Sequence, residues 1–62
     1  MDFIIVTYHF VTPMYFMEHS GSGFAISTDR QQAKIYQSRQ LAEKEAERLT
    51  FISGMKAEVK LL

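Results

Sequence analysis

The sequence contains no cysteine, so neither a disulfide framework nor a thiolate metal site can form. Histidine occurs only as His9 and His19, too few to build a structural zinc site alone. Charge of either sign is not in excess: seven basic residues balance seven acidic ones. That balance removes the positive potential with which general nucleic-acid binders release counterions, and the acidic surface a DNA mimic would need. Proline occurs once and tryptophan not at all. No apolar run reaches the roughly 20 residues of a membrane-spanning helix. The uncharged stretch from Phe3 to Met17 is shorter, contains His9 and Pro13, and is rich in β-branched and aromatic residues. It reads as strands. Asp2 stands where a secretory signal would carry a basic start, and no small-residue cleavage pattern follows. The expected setting is therefore cytoplasmic, with no membrane association.

What remains is a 62-residue chain with eight aromatic residues, three Tyr and five Phe. A chain this short buries only about 60% of the surface its unfolded form exposes, and usually needs a staple. With disulfides and thiolate metal sites excluded, association with another molecule is the remaining route to extra stability.

Phe3 to Val11 has strand character. Ile4, Val6, Tyr8 and Phe10 share one face; Phe3, Ile5, Thr7 and His9 share the other. Thr12-Pro13 is expected to end this strand, because proline cannot donate to a ladder. Met14 to His19 reads as a second strand, Ser20-Gly21-Ser22-Gly23 as a turn, and Phe24 to Ser27 as a third strand. Thr28…Gln31 and Asp29…Gln32 both fit a capping box, which predicts about one helical turn with Ala33 and Tyr36 packed inward. Ser38 caps a longer helix, Arg39 to Ile52, stopped at Gly54. A single helix from Asp29 is the competing reading. Leu41, Ala42, Ala46, Leu49 and Ile52 fall within one arc of the long helix. Met55, Ala57, Val59 and Leu61 alternate with Lys56, Glu58 and Lys60, a half-buried strand expected beside the first one. The expected fold is a single α+β domain over residues 1–62: a small antiparallel sheet of three to four strands, ordered β-β-β-α-β along the chain, with one main helix on one face.

This pattern resembles short reading frames of phages and prophages. The resemblance rests on Phe3-Ile4-Ile5-Val6, on Gly23 to Asp29, on Ala33-Lys34-Ile35-Tyr36 and on Ser38…Ala42…Ala46…Leu49. It implies an accessory protein that binds a host or phage protein and inhibits or redirects it, in the host cytoplasm. It carries over no functional residue.

No group of residues forms a catalytic signature. Glu18 and His19 are adjacent in a strand and point to opposite faces, so they do not converge. Ser20 to Gly23 lacks the lysine and the following helix of a phosphate-binding loop. The chain is therefore read as non-enzymatic, without cofactor or metal. A two-sided apolar strand cannot hide both faces under one helix. Either Tyr15 and Met17 or Met14 and Phe16 are then on the uncovered face, and Phe3 and Ile5 join whichever set faces away from the helix; the candidate partner-binding residues are accordingly Tyr15, Phe16, Met17, Phe3 and Ile5. Two helix residues complete the set: Glu45, which interrupts the apolar arc, and Phe51, an aromatic on the polar side. A protein partner is expected, and a second copy of this chain is one candidate. A single-stranded nucleic acid, stacked on Tyr8, Tyr15 and Phe16 beside Lys34, Arg39, Lys56 and Lys60, is the alternative that neutral charge disfavours.

Overall fold

The computed structural model describes residues 1–20 and 23–62. The chain folds as β1 (Phe3–His9), β2 (Thr12–Ser20), β3 (Gly23–Ser27), a single 3-10 turn (Arg30–Gln32), α1 (Arg39–Ser53) and β4 (Ala57–Leu61). The strands form one antiparallel sheet in the order β3-β2-β1-β4. The expected α+β fold with one helix is the one observed. Among the described residues, no helix is long and apolar enough to cross a membrane.

The sequence signals for α1 act as read. Ser38 Oγ accepts from the Leu41 N–H at 3.4 Å, and Gly54 closes the helix with a φ of 75°. That left-handed conformation favours glycine because a β-carbon is strained there. Asp29 caps the short turn, its carboxylate accepting from the Gln31 N–H at 2.9 Å. Ala33 is already extended, so the two pieces are separate and the single-helix alternative fails.

The helix lies over β1 and β4. Ala42, Ala46 and Leu49 are buried; the first two are small enough to let the helix approach the sheet closely. Leu41 and Ile52, expected in the same stripe, are 59% and 40% exposed. The buried stripe is narrower than the wheel suggests, because a four-stranded sheet of short strands covers only its centre. Two threonines fasten the return into β4. Thr50 Oγ1 donates to the Ala46 carbonyl and accepts from the Ala57 N–H, both at 2.9 Å. Thr7, fully buried, donates to the Lys56 carbonyl at 3.0 Å.

Two clusters hold the sheet, one on each face of β1. Ile5, Phe16, Tyr36, Ala42, Ala46 and Leu49 form the core beneath the helix, with Phe3, Phe24, Ala57 and Val59 packed against it. On the opposite face Ile4 and Val6 are buried with Ala33, and Tyr15 packs alongside. The position of Ala33 follows from a splice in the sheet. β1 and β2 are paired from Val6–Tyr15 to His9–Thr12 and then part. The chain at 34–36 enters the gap. Lys34 N–H donates to the Phe16 carbonyl at 2.9 Å, and Phe3 and Tyr36 exchange both backbone hydrogen bonds at 2.8 Å. Ala33 and Tyr36, expected to pack inward together on a helical turn, thus reach different clusters from an extended segment.

One boundary differs from expectation. Thr12 and Pro13 do not end β1; they begin β2, and the turn is Phe10-Val11. A loop of two residues makes His9–Thr12 the hydrogen-bonded pair, so Pro13 directs its missing donor away from β1. β3 pairs only from Tyr15 onward, so no ladder bond is lost there.

Candidate functional site

The β1–β2 turn carries the most unusual backbone of the molecule. Phe10 has a φ of 58°, alone among the described non-glycine residues in the left-handed region. A positive φ at the first turn position matches the twist of a two-residue hairpin, which is why Asn, Asp or Gly usually sits there. A bulky aromatic at that position is a conformational outlier. None of the described residues covers the turn to compensate: Phe10 and Val11 are each 90% exposed. Among the described rings, that of Phe10 meets the edge of His9, with centroids 4.9 Å apart and planes at 73°.

The apolar surface continues down one face of the hairpin. Tyr8 and Pro13 sit opposite each other, both exposed. Below them a shallow groove of about 330 Å³ is lined by Ile4, Val6, Tyr8, Pro13, Tyr15 and Arg30, with Lys60 and Leu61 at its far side. No charged residue occurs between Phe3 and Met17, so the tip is an uncharged, convex apolar knuckle.

The sequence-derived candidates distribute differently from expectation. Ile5 is completely buried and Phe16 nearly so, both beneath α1, and half-buried Phe3 packs against the same core. The expectation that Phe3 and Ile5 lie on the face away from the helix is corrected: odd positions of β1 point to the helix, and of the two β2 alternatives it is Tyr15, not Phe16, that lies on the other face. Ile5 and Phe16 have no surface to offer a partner. Tyr15 lies on the opposite face and is half-buried. Met17 is half-buried at a bulge, where the β2–β3 register shifts between Phe16 and Glu18. Glu45 is half-buried and close enough to Tyr36 to act on it: burial, and secondarily the Glu45 carboxylate, push the Tyr36 phenol up to about 12. The Tyr36 hydroxyl is buried without a hydrogen-bond partner among the described residues. Phe51 is 89% exposed, beside Lys44, Glu45, Glu47 and Arg48 on the outer helix surface. The structure therefore does not bring the candidates into one patch.

Of the four cations considered beside the sheet tyrosines, only Lys60 borders the groove, joined by Arg30. Lys34 sits over the Tyr36 ring at 5.2 Å, and Arg39 lies at the start of α1, bonded to Glu43 at 3.1 Å. His9 is exposed at the end of β1; the side chain of His19 and the centre of the Ser20–Gly23 turn lie outside the described residues. Among the described residues no three metal-ligating side chains come together.

Sequence reasoning missed Phe10 and Val11, reading them as the end of a long first strand. The usable signal was parity. A turn at Phe10-Val11 places Thr7 opposite Met14 and Val6 opposite Tyr15, and it leaves Pro13 facing an unpaired flank. Comparison with protein-family models, curated proteins and solved structures found no match.

Proposed function

We propose that this chain is a non-enzymatic protein-interaction module. In this reading it is an accessory protein of phage or mobile-element type that binds a larger host or phage protein and inhibits or modulates it. The observation that carries the reading is the strained, solvent-exposed Phe10 beside Val11 at the hairpin tip. Strain of this kind costs about 1–3 kcal/mol and persists where the presented side chain has a use. Large exposed aromatics are the usual anchors of protein interfaces. A convex, uncharged knuckle fits an apolar pocket on a partner protein. The other face of β1 supplies less free surface than the sequence suggests, since Ile4 and Val6 are already buried.

The test is quantitative affinity capture from lysate with the native chain, Phe10→Gly and Phe51→Ala. The reading expects a captured protein that Phe10→Gly loses and Phe51→Ala retains. Identical capture by all three chains removes the hairpin tip as the site. Binding of the native tip to neutral lipid vesicles would replace the protein pocket with a membrane.

Single-stranded nucleic acid is the second reading, favoured by one observation: Tyr8 and Tyr15 share a groove with Arg30 and Lys60. Base stacking on such rings is worth about 1–3 kcal/mol per base. No binding of an oligonucleotide at low salt ends this reading.

A further inference from the structure

We infer that the free edge of β4 is a self-pairing surface, and that the chain forms a two-fold dimer centred on Val59. β4 pairs only with β1. Leu62 N–H donates to the Asp2 carbonyl at 2.8 Å, and Phe3 turns both its backbone groups to Tyr36. Antiparallel alternation then directs the backbone of Lys60 and Glu58 toward β1 and that of Ala57, Val59 and Leu61 outward. The Ala57 N–H is taken by Thr50. By the same alternation the N–H and C=O of Val59 and Leu61, with the Ala57 carbonyl, point away from β1 along the open edge. An edge of this kind is a template for another strand.

Charge selects the occupant and the register. In a two-fold antiparallel pairing, residues directly opposite must lie on the same sheet face, so the axis passes through a residue. Centring on Glu58 sets it against its own copy and Lys56 against Lys60. Centring on Lys60 sets lysine against lysine. Like charges directly opposite are destabilising. Centring on Val59 places Glu58 opposite Lys60 of the second copy, twice over, and Ala57 opposite Leu61. Val59 exchanges both backbone hydrogen bonds with its counterpart, and each Leu61 N–H reaches the other Ala57 carbonyl. Lysines on an edge commonly deter pairing. Here each Lys60, already 3.6 Å from Glu58 of its own chain, gains the Glu58 of the second copy as well.

The helix supplies an independent match about the same axis. An open groove of about 290 Å³ beside β4 is lined by Arg39, Glu43, Ala46, Glu47, Ala57 and Val59. α1 runs opposite to β4. Arg39 therefore stands at the Leu61 end, where it also borders a second groove with Phe3 and Val59, while Glu47 stands toward Ala57. The two-fold that brings Ala57 to the second copy's Leu61 brings Glu47 toward that copy's Arg39. Half-buried Val59 and 56%-exposed Leu61 lose their remaining water in the same step. The result is a continuous eight-stranded sheet with both helices on one side. This surface is separate from the hairpin tip, so the dimer presents two knuckles.

The test is sedimentation of the native chain over a concentration series, beside Glu58→Lys, Lys60→Glu, their double variant and an equimolar mixture of the two single variants. The native chain is expected to double in mass with concentration. Each single reversal replaces both attractive pairs with repulsive ones and weakens dimerisation about tenfold. The double variant and the mixture restore complementarity and recover the dimer. Val59→Pro, whose lost N–H faces outward, is expected to give a folded monomer. A native chain that stays monomeric throughout overturns the inference. So does a dimer indifferent to the single reversals, or single-variant losses that neither the double variant nor the mixture recovers.

Discussion

Replacing Phe10 by glycine should make the isolated protein more stable while removing the proposed partner binding. The left-handed conformation costs a residue with a β-carbon about 1–2 kcal/mol, which glycine avoids. Against this, glycine loses more chain freedom on folding, about 0.5–1 kcal/mol. The ring gives little back, since the residue is 90% exposed and its ring partner, His9, is itself exposed. The net expectation is a gain of about 0.5–1 kcal/mol. In a domain of this size each kcal/mol moves the midpoint by about 4–8 °C, so thermal unfolding followed by circular dichroism should rise by about 2–8 °C. Binding should move the other way. Loss of an aromatic anchor costs about 2 kcal/mol or more, about thirtyfold in Kd. Phe10→Asn is the companion variant, because asparagine tolerates positive φ and should also gain stability. A fall in the midpoint with both variants would refute the reasoning: the ring would then be holding the hairpin together rather than being held out from it.

Other outcomes follow from the core and its polar atoms. Leu49→Ala, at a fully buried position, should cost about 2–5 kcal/mol by urea unfolding, a large share of what a domain of this length has. Tyr36→Phe removes a buried hydroxyl with no partner among the described residues and should be neutral or stabilising by up to about 1 kcal/mol. The same residue sets an alkaline limit. Its folded phenol ionises near 12 against an ordinary 10, so its contribution is complete below pH 10 and is lost as pH rises from 10 through 12. Unfolding titrations of Tyr36→Phe should show a smaller loss over that window. Gly54→Ala meets no atom within 4 Å, so its cost should be conformational alone, about 1 kcal/mol, with the helix content unchanged by circular dichroism.

Local signals were legible where one residue decides the outcome. Ser38 and Gly54 bound α1 because a cap needs one side chain and a stop needs one permitted φ. The alternation from Met55 to Leu61 identified β4 because one face is wet. β1 was different. Both its faces are apolar, so no pattern in the strand says which will meet the helix; Phe3 and Ile5, expected on the face away from it, lie beneath it, and the pattern leaves open which side of β2 joins them. The choice is made by distant partners: Ala42, Ala46 and Leu49 above, Ala33 below. The hairpin tip was hidden for the opposite reason. Its residues are the ones local propensity would place in a strand, and the turn exists because the register of β1 on β2 demands it. Glu45 stands out in the sequence as an acid inside an apolar arc, but its electrostatic effect on Tyr36 depends on the splice that carries Tyr36 under the helix.

That splice has a consequence for how the molecule opens. Phe3, Phe16, Lys34 and Tyr36 are bonded across the same gap, so one short segment ties the first residue of β1 to β2. When the segment from Ala33 to Tyr36 leaves, its hold on both faces of β1 goes with it. In native-state hydrogen exchange the amides of Phe3, Lys34 and Tyr36, far apart in sequence, should exchange as one cooperative unit. The first strand, the loop and the helix approach then share a single latch rather than melting in order along the chain.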